Sequence, residues 1–280
     1  MNDNINKTPK IKITDIFREV ISLYKENYRL FVKITLIIFL LALASSVITV
    51  LQYAFKDPGF LILYKLLLIP IMIPFIYYNI EFSIALFITI SERYKKGDIN
   101  VKDAIKRALL KFWRYVGVNL RFFLILLFPI AGGIITYFFI TAIILKYLLI
   151  GVFTLLTIYL GTLYGFAPLI SVIGKEKNNF FATSKKLVQG DFLRIAFLMV
   201  GVMLAFAMPY FLYLYVFNDY NAISHINKFV ASLINQILYI FITPLLSSIS
   251  VVTYYTLLRN KNVNWIEENA KGLCGQNLGL

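Results

Sequence analysis

The chain has one cysteine and one histidine in 280 residues, and acidic side chains are scarce, with Asp+Glu at 14 against Lys+Arg at 28. One cysteine cannot close an intrachain disulfide, so no oxidised framework is expected, and Cys274 reads as an ordinary tail thiol. One histidine, His225, leaves no HExxH metal site and no serine–histidine pair inside an apolar segment. No P-loop and no GxGxxG occurs, and every aspartate falls in a loop, a tail or an interfacial stretch, so paired intramembrane aspartates are missing too. Charge of either sign is also thin, at 15%, while 60% of residues are hydrophobic. A soluble domain carries about a quarter charged residues and about half apolar ones. A soluble fold, disorder, a coiled coil and collagen are therefore excluded. The expectation is a polytopic membrane protein that is not an enzyme and holds no metal or cofactor.

What is present are long apolar runs. A spanning helix needs about 20 mostly apolar residues. Six stretches meet this, over 34–55, 60–91, 122–145, 147–173, 192–217 and 229–258. Turns are expected at Lys56-Asp57-Pro58-Gly59, at Lys146, and in the polar run Asn218-Asp219-Tyr220-Asn221. The apolar runs are continuous rather than alternating, which argues against a barrel. The fold class is all-α: a polytopic bundle of six transmembrane helices (34–258) between a cytoplasmic N-terminus (1–33) and a cytoplasmic tail (259–280). The first 33 residues alternate charge with apolar side chains, and no signal peptide is expected there.

Orientation follows from the basic residues. All of the 28 except Lys56, Lys65, Lys146 and Lys228 fall on one side of the six-span scheme. That side is predicted to be the cytoplasm, with both termini in it, and the location to be a cytoplasmic (inner) membrane. The basic segments are themselves amphipathic. Ile16, Phe17, Val20, Ile21, Leu23, Tyr24 and Tyr28 oppose Arg18, Glu19, Lys25 and Glu26. Val101, Ala104, Ile105, Ala108, Leu109, Phe112 and Trp113 oppose Lys102, Lys106, Arg107, Lys111 and Arg114. A weaker third copy holds Phe180, Phe181, Ser184, Leu187 and Val188 with Lys185 and Lys186. Each reads as a helix lying in the cytoplasmic interface before a two-span hairpin. The chain is thus predicted to repeat one unit three times, with Leu23, Leu110 and Leu187 at corresponding positions.

The third basic segment carries a resemblance. Pro168 falls late in a span, and Ser184, Leu187, Gly190 and Arg194 fit a Ser-x-x-Leu-x-x-Gly-x-x-x-Arg pattern entering the next one. This resembles the membrane domain attached to some glycerophosphoryl diester phosphodiesterases, and the related uncharacterised YciC-like inner-membrane proteins. The opening around Asp15-Ile16-Phe17 and Leu23-Tyr24-Lys25, and the run from Thr243-Pro244-Leu245 to Leu258-Arg259, are similar to that family's first interfacial helix and last span. Gln189 stands where the family often has a basic residue. The resemblance implies a fold and a membrane location. It implies no phosphodiesterase activity, which belongs to a separate barrel of typically about 250 residues.

Two functional expectations follow. In the first, an integral membrane protein engages anionic lipid through Lys102, Lys106, Arg107, Lys111, Lys185, Lys186 and Arg194, in membrane organisation or envelope homeostasis. In the second, a small-solute or ion transporter or channel uses helices kinked at Pro70, Pro74, Pro129, Pro168, Pro209 and Pro244, with Glu81 as an intramembrane carboxylate. Glu81 would lie about 15 Å inside the second span, with Arg121 or Lys33 as partner. Other polar residues in the spans are few (Ser45, Ser46, Thr49, Gln52, Asn79, Thr136, Thr141, Asn235, Gln236), which favours the first expectation. Gly161 and Gly165 form a GxxxG that permits close helix contact. A second copy of the chain or another membrane protein is a further candidate partner; nucleic acid is not expected.

Overall fold

A computed structural model describes residues 12–54, 58–174, 179–216 and 225–261, with side chains described at 12–37, 39–40, 73–74, 76–174, 179–205 and 240–261. Regular structure among them is entirely helical: α1 (Ile13–Ala54), α2 (Pro58–Tyr94), α3 (Val101–Phe139), α4 (Ile143–Tyr164), α5 (Ala167–Ile173), α6 (Phe180–Val188), α7 (Phe192–Val216) and α8 (His225–Asn260). Among the described residues three helical stretches are long and apolar enough to cross a membrane: Val101–Phe139, Ile143–Ile173 and Ile240–Asn260. The bent pair Phe180–Val188 and Phe192–Ala205 makes a fourth if it counts as one span. These overlap, with other bounds, the expected spans three (122–145), four (147–173), six (229–258) and five (192–217). The apolar halves of α1 and α2 fall largely where side chains are not described. Lys56, Asp57, the loop Asn218 to Asn221, Cys274, and the side chains of Pro70, Pro209, Ser45, Ser46, Thr49, Gln52, Asn235 and Gln236 also lie outside the described residues.

Several boundaries differ from the sequence reading. Pro58 and Gly59, expected in a turn, open α2, where proline's missing N–H is harmless and its φ is already helical. The break after α3 falls at residues 140–142 and not at Lys146, which sits in the first turn of α4. A cation there opposes the helix dipole. Its ammonium lies 4.5 Å from the centre of the Tyr137 ring, an attraction that offsets the mismatch. The first two amphipathic segments are not set off from the apolar segments that follow. Each is the start of one unbroken helix, α1 or α3: no proline stands between the two parts, and Gly117, the one glycine at that junction of α3, is carried within the helix.

The buried faces are also rotated from those expected. In α3, Ala104, Ala108 and Phe112 are buried, while Leu109 and Trp113 are exposed. Alanines let a neighbouring backbone approach, and the bulky Trp113 turns outward. In α1 the buried stripe is Ile16, Val20, Leu23, Phe31 and Ile34, and Phe17, Ile21 and Tyr28 are exposed.

By packing, the chain divides into two compact units, and α1, α3, α7 and α8 contribute residues to both. The first comprises 1–19, 113–203 and 249–280. Its core is α5 with the ends of α4 and α8: Phe166, Ala167, Ile170, Val172, Val251, Val252 and Leu257 are buried. Here α6 packs against α4 and α5 with Ser184, Leu187 and Val188 inward. The buried Ser184 hydroxyl donates to the Leu163 carbonyl at 2.7 Å, satisfying one of the acceptors that the end of α4 leaves open. Gly190, with φ +99, ends α6 in a conformation that a side chain disfavours. Asp191 then accepts from the Ile195 N–H to start α7, and the chain turns by 102°.

The second unit comprises 20–112 and 204–248. The C-terminal half of α2 is buried nearly all round, with Ile84, Ala85, Leu86 and Ile90 at zero exposure. The α2–α3 turn is built by Lys96 in a left-handed conformation, followed by Gly97, whose N–H donates to the Glu92 carbonyl. Asn100 caps α3, its side-chain oxygen accepting from the Asp103 N–H at 2.8 Å. The Tyr77 and Phe112 rings pack with centres 4.4 Å apart. Pro244 lies inside α8 and has no N–H to give the Ile240 carbonyl four residues back. The Thr35 hydroxyl of α1 reaches that carbonyl at 3.0 Å, and Tyr24 reaches the next one, of Phe241, at 3.4 Å. Thr35→Val keeps the shape and removes the donor. It is expected to cost about 1–3 kcal/mol, read as a lower midpoint for thermal unfolding of the purified protein in detergent, while Thr35→Ser stays near wild type.

Candidate functional site

The basic residues singled out in the sequence do not form one class. In the second unit, Lys102 and Lys106 are exposed on the first turns of α3. Arg107 is held 3.6 Å from Glu92, so it ties α3 to α2. Next to it Arg93 pairs with Asp98 at 2.6 Å. Lys111 is half-buried and already engaged in interactions.

In the first unit, Lys185 and Lys186 point outward from α6, opposite its buried Ser184, Leu187 and Val188. Arg194 pairs with Asp191 at 3.2 Å, one turn into α7. The C-terminal end of α6 is closed by Lys261, at the end of α8. Its ammonium donates to the backbone carbonyls of Lys186 and, at 2.7 Å, Gln189. A cation on the last carbonyls of a helix satisfies open acceptors and complements the dipole. Burial pulls the Lys261 pKa down, and the Asp191 carboxylate opposes that shift. Close by in sequence, Arg259 of α8 pairs with Glu19 of α1 at 3.0 Å. Arg107 and Arg194 are thus bound up in the fold, whereas Lys102, Lys106, Lys185 and Lys186 face outward. Nothing in the sequence pattern distinguishes the two sets, because the acidic partners lie in other helices or across a turn.

Along α3 the exposed positions Lys102, Lys106, Leu109, Trp113, Leu120 and Leu124 recur at helical spacing. The order is two lysines, then Leu109 and Trp113, then aliphatic residues. Lys102 and Lys106 stand roughly 16 and 10 Å beyond Trp113 along the axis at about 1.5 Å per residue. From Trp113 to Phe139 the helix is about 39 Å long, close to the roughly 40–45 Å of a bilayer with its interfaces. The apolar window of α3 is 11% buried and that of α4 not at all, against 56% for α8. The apolar windows of α3 and α4 are thus largely exposed, and more than half of that of α8 is buried.

Glu81 is buried, at 4% exposure, in the well-packed half of α2. Among the described residues it has no ion pair within 4 Å, and Lys33 and Arg121 are both exposed. The sequence reading passed over the hydroxyl residues of α8. Ser247, Ser248, Thr253 and Thr256 are all buried. Ser248 and Thr256 donate to carbonyls four residues back, while Thr253 has no partner among the described residues. Their small-residue spacing was legible; their burial was not, since serine and threonine are as common on outer faces. Among the described residues no group of three or more His, Cys, Asp or Glu could hold a metal ion.

No family model, curated protein or solved structure matches the chain.

The closure of α6 by Lys261 has a direct consequence. Lys261→Met is expected to raise hydrogen–deuterium exchange across residues 180–189, by loosening the last turn of α6, while Lys261→Arg leaves it near wild type.

Proposed function

We propose that the chain is a non-enzymatic, multi-pass protein of a cytoplasmic membrane that engages anionic lipid headgroups through a rim of lysines and so serves membrane organisation or envelope homeostasis. In this reading both termini and the basic segments face the cytoplasm, and six spans cross the bilayer. The observation that carries it is the graded outer face of α3, where Lys102 and Lys106 follow Trp113 out of the apolar zone. Tryptophan prefers the interface, and a lysine near an anionic surface contributes about 1 kcal/mol. Lys185 and Lys186 of α6 add a second outward pair. Arg107 and Arg194, paired to Glu92 and Asp191, play a structural part instead. The resemblance of Pro168, Ser184, Leu187, Gly190 and Arg194 to the phosphodiesterase-attached membrane domain and the YciC-like proteins belongs to the same proposal.

The test is native mass spectrometry of the full chain in mild detergent after equilibration with phosphatidylglycerol or phosphatidylcholine. Wild type is expected to retain phosphatidylglycerol in preference. Replacing Lys102, Lys106, Lys185 and Lys186 together by Gln is expected to abolish the preference, and replacing Arg259 is not. Equal retention of both lipids by wild type overturns the reading.

Burial of Glu81 without an ion pair among the described residues favours one second reading, a proton- or cation-coupled transporter. In that case Glu81→Gln, which keeps volume and loses the charge, abolishes solute-driven proton flux in liposomes while the protein stays folded. Unaltered proton permeability with and without Glu81 in a panel of solute gradients removes it.

A further inference from the structure

Between Arg121 and Lys175 the chain carries one charge, Lys146. It stands beside a groove that the sequence reading did not anticipate. The apolar faces of α3 and α4 part to leave a cavity of about 400 Å³. Pro129, Gly133 and Tyr137 mark one wall, at spacings of four residues along α3. Ile150, Thr154 and Ile158 mark the other, along α4. On this face Phe153 of α4 meets α3 at Gly132 and Gly133, beside the groove. Gly132 lets the Phe153 ring lie against the α3 backbone; a Cβ there would come within 2.4 Å of the ring. At Gly133, one residue on, a Cβ would only make ordinary contact with Phe153, at 3.7 Å. Thr154 and Thr157 direct their hydroxyls back to the carbonyls of Ile150 and Phe153, both at 2.8 Å, so they present methyl groups and no unsatisfied donor.

We propose that this groove holds one acyl chain of a bilayer phospholipid, with the lipid phosphate paired to Lys146. Two observations select that occupant. The first is length: from Pro129 to Tyr137 the groove runs about 12 Å, close to half of the roughly 30 Å hydrocarbon core. That is the depth of a single leaflet, which suits a lipid tail, whereas a partner helix would need the full span. The second is charge: the Tyr137 ring that lines the groove also holds the Lys146 ammonium, so a cation marks the mouth and the rest is apolar. An ammonium has three donors, and a ring on one side leaves them available to a phosphate. This site is separate from the lysine rim, and in the proposed topology it opens to the opposite leaflet.

The test is photocrosslinking in nanodiscs of phosphatidylglycerol containing a trace of the same lipid with a diazirine in its acyl chain. Adducts on the full chain are mapped by peptide mass spectrometry. They are expected to concentrate on the groove faces of residues 129–138 and 150–158. Gly133→Phe and Thr154→Phe, which fill the groove from opposite walls, should each remove them. Lys146→Gln should lower them about fivefold, the weight of one lysine at a membrane surface, and Lys146→Arg should restore them. Glutamine at Lys102, Lys106, Lys185 and Lys186 should leave them unchanged, which separates this site from the rim. Adducts spread evenly around α3 and α4, or persisting in a groove-filled variant with wild-type circular dichroism, overturn the proposal. If both filling variants misfold, equal labelling of Lys146→Gln and Lys146→Arg overturns it.

Discussion

The constraint on which the rest depends is that a backbone carbonyl in an apolar setting must find a donor inside the protein. Long helices meet it along their length, and their ends and prolines do not. At three described places where this chain interrupts a ladder, a side chain from elsewhere supplies a donor. Thr35 reaches the carbonyl that Pro244 leaves open, Ser184 reaches the end of α4, and Lys261 reaches the end of α6. Each also joins segments far apart in sequence. Apolar contacts alone join them weakly in lipid, where the hydrophobic effect between helices is absent. Hydroxyls and one lysine thus fix which helices are neighbours, and within each unit those neighbours set where the outward lysines stand.

The same constraint explains how the prolines are used. Broken helices in transporters turn their released carbonyls toward a substrate. At Pro244 the carbonyl is covered by a hydroxyl of α1, and Ser248 donates to the Pro244 carbonyl itself at 2.7 Å. At Pro168 the residue sits in the first turn of α5, where it breaks no bond, and Ser171 donates to its carbonyl at 2.6 Å. A kink whose acceptors are filled by the protein's own side chains is a packing device. That weighs against reading these two prolines as parts of a solute path.

Much of the helical architecture was legible in the sequence. Continuous apolar runs of spanning length recovered α3, α4 with α5, α7 and the second half of α8, because hydropathy over about 20 residues reports burial in lipid directly. Boundaries were less legible. Lys146 looked like a turn because a charge in an apolar run usually marks one, yet a ring one helix away accommodates it. The amphipathic segments looked like separate surface helices, although nothing in them breaks the ladder, and α1 and α3 run on. Periodicity found an apolar stripe on α3 but set its direction wrongly, since it weighs Trp113 as core when size excludes it from an alanine-lined contact. The basic segments were legible in the sequence; which of their residues are paired within the fold was not. Which arginine is bound to a carboxylate depends on where a different helix ends.

In the proposed reading, the outer face of α3 makes one helix both a span and a headgroup reader. A helix lying flat in the interface must keep one stripe apolar along its whole length. A helix passing through it needs only the right residue at each depth, and α3 follows that second rule. Its exposed side runs from Lys102 and Lys106 through Leu109 and Trp113 to Leu120 and Leu124, while Ala104, Ala108 and Phe112 face inward. The apolar residues next to the lysines are then not a second membrane-binding face. In that reading they are the upper edge of the span, and the lysines above them belong to the headgroup layer, on a helix that Asn100 caps and Arg107 ties to Glu92. A cation held at a fixed height on a rigid helix reads a charged surface without losing the side-chain freedom that a flexible loop would give up on binding. Glu92 and Asp98, at the α2–α3 turn of a chain poor in acidic residues, pair with Arg107 and Arg93, and in the proposed reading they hold the rim in place rather than neutralise it.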